Sequence, residues 1–186
     1  TNGAQWLSVS VMSKGKRDQH IEEAEVDQST NFLDKHLRAI EHNYRKAPHF
    51  SEIAPNLLPE FGVIHKHLAD LNINFILRIR DILGIKTPVL RSSAMQGSGN
   101  KADLLLSLCQ KVQAKEYVSP PGSKIYLDET DIFLKANLPV KYFQFQHPIY
   151  SQLFGEFLPY MSCVDMLFNC GEKSHSLISE GCKIIP

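Results

Sequence analysis

The sequence lacks most of the features that mark a membrane, secreted or nucleic-acid-binding protein. No apolar run approaches the roughly 20 residues that a bilayer-spanning helix requires, and no signal-peptide pattern opens the chain. Twenty basic and twenty acidic residues cancel, so no broad positive field would recruit nucleic acid or an anionic membrane surface. We therefore expect a cytoplasmic protein with neither a nucleic-acid partner nor a membrane partner.

Metal-binding patterns are sparse as well. The chain has four cysteines, at positions 109, 163, 170 and 182, and no two of them have the two-residue spacing of a zinc knuckle. His65 and His67 lie close together, but no cysteine or acidic cluster accompanies them, and on a helix they would point to different faces. The sequence therefore predicts no metal site.

The composition suits one folded domain. The chain has 186 residues, 43% of them hydrophobic and 22% charged, which is ordinary for a globular protein that buries a core. We expect a single domain over residues 1–186. The chain opens on TNGAQWLSVSV without an initiator methionine, so we also expect a fragment of a longer protein.

A β-hairpin is predicted near the N-terminus. In QWLSVSVM, residues 5–12, Leu7, Val9 and Val11 alternate with serines, which indicates a half-buried strand. IEEAEV, residues 21–26, follows across a polar loop and is the expected partner strand.

The rest of the chain alternates between helical and strand patterns. Residues 29–46 and 71–85 carry apolar side chains at helical spacing, with a proline-interrupted helical stretch between them. From residue 88 onward the predicted order is strand PVLRS, helix NKADLLLSLCQKVQ, strand EYVS, short helix DETDIFLKA and strand VKYFQF. Such alternation predicts an α/β fold with a mostly parallel sheet and flanking helices.

Ligand-binding loops are expected at one edge of this sheet, because parallel strands place ligands at their carboxyl ends. Three loops follow predicted strands: SSAMQGSGN, SPPGSK and QHPIYSQ. The first holds Gly97 and Gly99, with Lys101 beyond, where backbone N–H groups could cradle a phosphate. It lacks the third glycine of the dinucleotide fingerprint and the ending of a P-loop, so a flexible loop that leads into a helix is the other interpretation.

His147 is the histidine with the most suggestive surroundings. It follows a predicted strand and precedes Pro148, with Tyr150 and Gln152 nearby in the chain. Imidazole titrates near neutral pH, so His147 could serve as a general acid or base. It could equally hydrogen-bond to the backbone and hold the turn that Pro148 stiffens. The sequence leaves both interpretations open.

Ser162 and Asp165 precede an apolar run that ends at Gly171, a pattern typical of a capped helix. No nucleophile elbow surrounds Ser162, so we expect it to cap the helix rather than attack a substrate. Asp165 could act both in the helix start and in a site, if that helix start faces the crevice. His36 shares an apolar helical stripe, which favours a core histidine.

Six segments resemble the WbqC-like family of bacterial proteins, in the family's order and over nearly the whole chain. They are NGAQWLSVSV, DKHLRAIEHNYRKAPHF, LGIKTPVLRSS, EYVSPPGSKIYLD, YFQFQHPIYSQ and FLPYMSCVDMLFNCG. Two departures stand out. The family normally has roughly fifty more residues at the N-terminus, so an N-terminal segment is expected to be missing. That segment of the family looks similar to the strand-to-helix entry of nucleotidyltransferases, and this likeness implies that a doubly wound, nucleotidyltransferase-like sheet is one possible arrangement. The loop SPPG also replaces the family's usual Ser-Gly.

The resemblance implies a function in bacterial surface-glycan assembly, for O-antigens, capsules or glycosylated flagella. It favours a cytoplasmic transferase that moves an acyl or aminoacyl group to a nucleotide-linked amino sugar. The alternative is a non-catalytic module that binds a glycan precursor or docks onto another enzyme of the pathway. The expected partner is a small-molecule sugar or nucleotide sugar, and no cofactor is specified.

The resemblance also implies roles for individual residues. Those on the family's motifs are Lys35, His36, Tyr44, Tyr117, Gly122, Tyr126, His147, Tyr150, Gln152, Ser162, Asp165, Asn169 and Gly171. His147 is expected to be the catalytic base, and Asp165 to orient it. Tyr150 and Gln152 are expected to bind sugar hydroxyls. Further substrate contacts are expected from Tyr117, Lys35, His36 and Asn169. Phosphate contacts are expected from Gly97, Gly99 and Lys101 on the spacing of their loop alone.

Overall fold

The computed structural model describes residues 3–16 and 18–185, and their contacts fall into two units. The first, called here the helical unit, comprises Thr1–Lys86 and Ile149–Ser176. The second, the sheet unit, comprises Thr87–Pro148 and Leu177–Pro186. Positions 1, 2, 17 and 186, which the one-domain prediction includes, lie outside the described residues. A single domain over residues 1–186 stays a prediction.

Helices dominate the secondary structure. In chain order they are α1 (Phe32–Tyr44), α2 (Phe50–Leu57), α3 (Leu68–Ile82), α4 (Ala102–Lys111), α5 (Lys124–Asp128), α6 (Ile132–Lys135), α7 (Cys163–Cys170) and α8 (Lys173–Gly181). The strands are β1 (Tyr117–Ser119), β2 (Val140–Phe145) and β3 (Cys182–Ile185). Short 3-10 helices cover Ile21–Glu23, Gln28–Thr30, Leu58–Gly62, Ser92–Met95 and Pro121–Ser123.

The core of the helical unit forms where the apolar faces of α1, α2 and α7 meet. Its buried residues include Ile40, Ile53, Leu57, Leu167 and Phe168. The Phe168 ring is fully buried, and the rings of Tyr44 and Phe50 lie 5.1 and 5.2 Å from it, centroid to centroid. The helices predicted within residues 29–46 and 71–85 are confirmed as α1 and α3. The prediction succeeded because their apolar side chains recur at the helical period.

The predicted N-terminal hairpin is present only as one antiparallel bridge, between Val11 and Val26. Two backbone hydrogen bonds flank it, from Met12 N to Glu25 O at 2.9 Å and from Asp27 N to Ser10 O at 2.9 Å. The start of IEEAEV is a 3-10 helix rather than a strand. Glu22 and Glu23 lie in the first turn of this 3-10 helix, where carboxylates are favourable, and the alternating pattern alone did not reveal this.

The sheet unit contains a three-stranded mixed sheet in the order β1-β2-β3. β1 pairs parallel with β2, in the register Tyr117↔Val140, and β2 pairs antiparallel with β3, in the register Tyr142↔Ile185. Leu127, Phe133 and Leu138 pack beneath it with Tyr142. The α/β class and the strands EYVS and VKYFQF are therefore confirmed.

The predicted mostly parallel, doubly wound sheet is not confirmed, because the described sheet has one parallel and one antiparallel pair. PVLRS was wrongly predicted as a strand: in the described chain it has no ladder partner, and Val89 and Leu90 are exposed. A short apolar run reveals neither its partner nor its burial. SSAMQGSGN therefore follows no strand, whereas SPPGSK and QHP do follow the parallel strands β1 and β2.

Across residues 3–16 and 18–185, no helix is both long enough and apolar enough to cross a membrane.

Candidate functional site

The first turn of α7 places Asp165 inside the helical unit. Ser162 caps this helix, since its Oγ accepts a hydrogen bond from Val164 N at 3.3 Å. The predicted capping role of Ser162 is thus confirmed. The Asp165 side chain is only 6% exposed, and its carboxylate turns away from the cap towards two tyrosines.

Three side chains hold the Asp165 carboxylate. Tyr44 donates from its hydroxyl to Oδ1 at 2.9 Å. Tyr150 donates to Oδ2 at 2.7 Å, and Gln152 Nε2 donates to the same oxygen at 3.0 Å. Asn169, one turn along α7, donates from Nδ2 to the backbone carbonyl of Asp165 at 2.8 Å. We call these five residues the Asp165 cluster.

The two phenols of the Asp165 cluster are fixed as donors. Burial raises the pKa of Tyr44, and the negative charge of Asp165 raises it further. Burial and the hydrogen bond to Asp165 raise the pKa of Tyr150. Both hydroxyls therefore keep their protons at neutral pH and donate them in hydrogen bonds to the Asp165 side chain.

Asp165 retains hydrogen-bond acceptor capacity. A carboxylate offers about four lone-pair positions, and the three hydrogen bonds leave one on Oδ1. All three donors are neutral, and among the described residues no lysine, arginine or histidine forms an ion pair with Asp165. Buried charges are normally paired, so this carboxylate is suited to a cationic or N–H-bearing ligand group.

Gln152 has a structural task beside its contact with Asp165. Its Nε2 donates to the carbonyl of Leu158 at 3.0 Å, and its Oε1 accepts from Leu158 N at 2.8 Å. The amide therefore closes residues 152–158 into a loop, which we call the clamp loop. Both Nε2 hydrogens are used in this way, so Gln152 could meet a sugar hydroxyl only as an acceptor, through Oε1.

His147 belongs to the sheet unit, just beyond the end of β2. Its Nδ1 lies 2.8 Å from the carbonyl oxygen of Pro148, and its ring meets the Phe145 ring edge-on, with centroids 5.9 Å apart. Since a carbonyl only accepts, Nδ1 carries the proton and the lone pair of the neutral ring lies on Nε2. Its predicted pairing with Asp165 stays a prediction.

Lys35 and His36 lie on α1 but face different surroundings. Lys35 is exposed to solvent. His36 is buried, its Nε2 lies 3.1 Å from the carbonyl oxygen of Ser8, and its ring packs edge-on against Phe32. Burial lowers the pKa of His36, although the hydrogen bond to Ser8 opposes this. These contacts fit the core histidine that the helical stripe favoured; a substrate contact by either residue stays a prediction.

Tyr117 is a core residue of the sheet unit. Its ring stacks on Phe133 with centroids 5.5 Å apart, and its hydroxyl accepts from Ser119 Oγ at 3.2 Å. A substrate contact by Tyr117 stays a prediction.

The loop of Gly97 and Gly99 precedes α4 as predicted, but its polar groups are largely used within the chain. Ser98 N donates to Ser107 Oγ at 2.9 Å, and Asp103 N donates to Asn100 O at 3.1 Å. A side chain at Gly97 would collide with α4, and Gly99 lies against Asp103, a carboxylate that would oppose a phosphate there. Lys101 precedes α4 and is exposed. This geometry favours a packed turn, and phosphate binding stays a prediction.

The sequence did not reveal the contact between His49 and Gly171. Gly171 has φ 57°, and a Cβ there would fall on the imidazole of His49, whose Nδ1 lies 2.9 Å from Glu52 Oε2. The backbone N of His49 donates to Phe168 O at 3.0 Å. Gly171 was expected only to end the helix, because nothing in its local sequence indicates what packs over it.

Potential metal ligands are dispersed over residues 3–16 and 18–185. No three histidine, cysteine, aspartate or glutamate side chains there are grouped so that they could hold a metal ion. His65 precedes α3 and His67 is the residue before its first turn, so neither lies within that helix.

Comparison with known proteins identifies the family. The sequence profile of the WbqC-like protein family matches residues 1–177. The chain belongs to the WbqC-like protein family. An uncharacterized protein, Rv1507c of Mycobacterium tuberculosis, is 37% identical to it over 176 residues, which are 94% of this chain and 75% of that protein. Neither match supports the expectation of a missing N-terminal segment. No solved structure matches the chain significantly.

Proposed function

We propose that this WbqC-like protein is a cytoplasmic transferase of bacterial surface-glycan assembly, which moves an acyl or aminoacyl group to a nucleotide-linked amino sugar. The family's pathway supplies the context, and the Asp165 cluster supplies the chemistry. The observation that carries the proposal is a buried carboxylate held only by neutral donors, with one acceptor position left.

In this proposal Asp165 binds the amino group of the sugar. The carboxylate meets an ammonium or amine N–H with a charge-assisted hydrogen bond, which is roughly twice as strong as a neutral one. Tyr44 and Tyr150 keep the carboxylate in place without neutralising it. Asp165, Tyr150 and Asn169 are each less than 10% exposed, which limits the water that competes for the carboxylate.

His147 is our proposed general base. Its Nδ1 hydrogen bond to Pro148 O leaves the lone pair on Nε2, the form that a base requires. The amine nitrogen attacks the acyl carbonyl carbon, a C–N bond forms, and the bond to the leaving group breaks. The proton of the amine passes through His147 Nε2 to the leaving group.

A ligand panel tests the proposal directly. The purified protein is heated with UDP-, GDP- and dTDP-sugars, their amino-sugar forms, ATP, CoA and the free sugars. A ligand at a hundred times its Kd stabilises the fold by about 2.7 kcal/mol, which raises the Tm by about 5–10 °C for a chain of this length. We expect the amino-sugar forms to give the largest shift, and no shift with any sugar or nucleotide sugar would overturn the proposal.

Matched variants locate the binding. Asp165→Asn keeps the shape and removes the charge, and it should abolish the shift caused by amino sugars. Asp34→Asn makes the same chemical change at the surface of the helical unit, where Arg38 pairs with it at 3.0 Å, and should leave the shift intact. Equal shifts in both variants would show that Asp165 does not bind the amino group.

The alternative is a non-catalytic module that binds a glycan precursor. This alternative is favoured because both proposed catalytic groups already form hydrogen bonds within the protein. Protein donors hold the Asp165 carboxylate, and a backbone carbonyl holds the His147 ring. His147→Gln separates the two proposals. A transferase should lose product formation and keep sugar binding, whereas a binding module should form no product before or after the change.

A further inference from the structure

The sheet unit contains a cavity that is lined by none of the residues to which a catalytic or substrate-binding role was assigned above. Its volume is about 400 Å³, and small-molecule sites have volumes of about 300–1,000 Å³. Its lining residues, which lie between Leu127 and Tyr142 in the chain, all belong to the sheet unit.

The floor of this cavity is apolar. Leu127, Phe133 and Leu138 form it together with the Tyr142 ring, and each of these residues is at most 9% exposed. The Phe133 ring is held by stacking on Tyr117, with centroids 5.5 Å apart. The floor is therefore a fixed part of the core, and it offers apolar contact to a ligand.

The rim of the cavity is exposed and partly polar. Asp128 ends α5, Thr130 lies between α5 and α6, and Asn137 lies between α6 and β2. Leu134, on α6, adds an apolar side chain that is 81% exposed. This leucine contributes little to the core, so its side chain is accessible to a ligand.

The charge of the lining has one sign. Asp128 is the charged side chain of the lining, and no lysine, arginine or histidine lines the cavity in the described structure. Asp128 pairs with Lys124 at 3.3 Å, but both side chains are more than half exposed, and such exposed pairs contribute little. A carboxylate has about four acceptor positions, so Asp128 can also accept a hydrogen bond from a ligand.

The charge of Asp128 also reaches the floor. Burial raises the pKa of Tyr142, and the negative charge of Asp128 raises it further. Lys124, whose Nζ lies 4.6 Å from the centroid of the Tyr142 ring, opposes this effect without cancelling it. The cavity therefore disfavours a carboxylate or a phosphate and favours a positively charged group.

The cavity is separate from His147. Val140, at the start of β2, lines the cavity, whereas His147 lies two residues beyond the end of this six-residue strand. At about 3.3 Å per residue, the strand alone places about 17 Å between the two ends. A group bound in the cavity is therefore not the group that His147 would deprotonate.

We propose that this cavity binds a small apolar amine, with its apolar group against Phe133 and Leu134 and its ammonium group against Asp128. The site is independent of the proposed sugar transfer, because it requires neither the Asp165 cluster nor His147.

Ligand-observed NMR titrations with three probes that share a phenethyl group test this inference. Phenethylamine carries an ammonium group, phenethyl alcohol a hydroxyl and hydrocinnamate a carboxylate. We expect phenethylamine to bind at least about fivefold more tightly than phenethyl alcohol, because a charge-assisted hydrogen bond is stronger than a neutral one, and hydrocinnamate to bind most weakly. The advantage of the amine should shrink as salt is added, since Asp128 is exposed.

Matched variants locate the binding. Asp128→Asn should lower the affinity for phenethylamine to that for phenethyl alcohol, whereas Asp131→Asn, at an exposed aspartate outside the lining, should leave it unchanged. Leu134→Ala should weaken the binding of both probes at least threefold. Ile125→Ala removes a similarly exposed apolar side chain outside the lining and should not weaken it.

Three results would overturn the inference: hydrocinnamate binds as tightly as phenethylamine, Asp128→Asn or Leu134→Ala binds phenethylamine as its control does, or none of the probes binds. All four substitutions are at exposed positions, so each variant should keep the circular dichroism and Tm of the unmodified protein. If Asp128→Asn fails to fold, the salt titration of the unmodified protein decides, and an amine advantage that does not change with salt excludes the contact with Asp128.

Discussion

Removing the two phenol hydroxyls around Asp165 is the sharpest test of the geometry. Tyr150→Phe and Tyr44→Phe each keep the ring, and with it the packing on Phe157 and Phe168, and each removes one donor to the carboxylate. A hydrogen bond to a charged group contributes about 1.5–3 kcal/mol. Each single variant should therefore lose about 2 kcal/mol of unfolding free energy.

The double variant adds information that neither single variant gives. When one hydroxyl is absent, the carboxylate depends more on the other, so the second removal should cost more than the first. We expect the loss in the double variant to exceed the sum of the single losses by at least about 0.5 kcal/mol, as coupled neighbours do. Distant, independent sites would add within that margin.

The assay is urea unfolding followed by far-UV circular dichroism, with Tm as a second readout. A loss of about 2 kcal/mol lowers the Tm by about 4–8 °C in a chain of this length. Tyr126→Phe is the control, because the Tyr126 hydroxyl has no hydrogen-bond partner among the described residues, and it should stay within about 0.5 kcal/mol. The reasoning is refuted if Tyr150→Phe is as stable as Tyr126→Phe.

Two further predictions concern stability. Gly171→Ala should cost at least about 2 kcal/mol in urea unfolding, because its Cβ would meet the His49 ring at a positive φ. Gly155→Ala has φ 62° and open space around it, so it should cost only about 1 kcal/mol; equal losses would exclude the clash with His49. The second prediction concerns acid pH. Hydrogen bonds from Lys16, which has the larger effect, and from Lys66 lower the pKa of Glu25 to about 2. A lowered carboxyl pKa stabilises the fold above its unfolded value of about 4.5, and that stability is lost as the pH falls towards 2. Glu25→Gln should thus flatten the fall in urea midpoint between pH 5 and pH 2, and an unchanged slope would contradict it.

Local patterns were enough for most of the helices. The stripe that includes Ile40 fixed α1, and Ser162 before the apolar run fixed α7, because capping and periodicity act within a few residues. The strand patterns of β1 and β2 were also sufficient for the α/β class. β3 was not predicted, and PVLRS was wrongly predicted, since strand pairing depends on a partner elsewhere in the chain.

The residues of the Asp165 cluster lie on motifs that the sequence analysis singled out, but their contacts with one another were not predictable from the sequence. Tyr150, Gln152, Asp165 and Asn169 were expected from the motif that holds them, and they do meet. The donor from Tyr44 is 121 positions away along the chain, and nothing in its local sequence indicates that it reaches Asp165. The roles assigned to these side chains stay predictions until ligand binding is measured.

The sequence by itself determined the approximate positions of most helices, the α/β class and the family, because each depends on short-range spacing or on ordered motifs. Only the tertiary structure decided that Asp165 is buried between two phenols and that His49 covers Gly171. The physical reason is the same for each. Burial, hydrogen-bond pairing and steric contact are properties of side chains that packing brings together, and no local pattern encodes which distant side chain arrives.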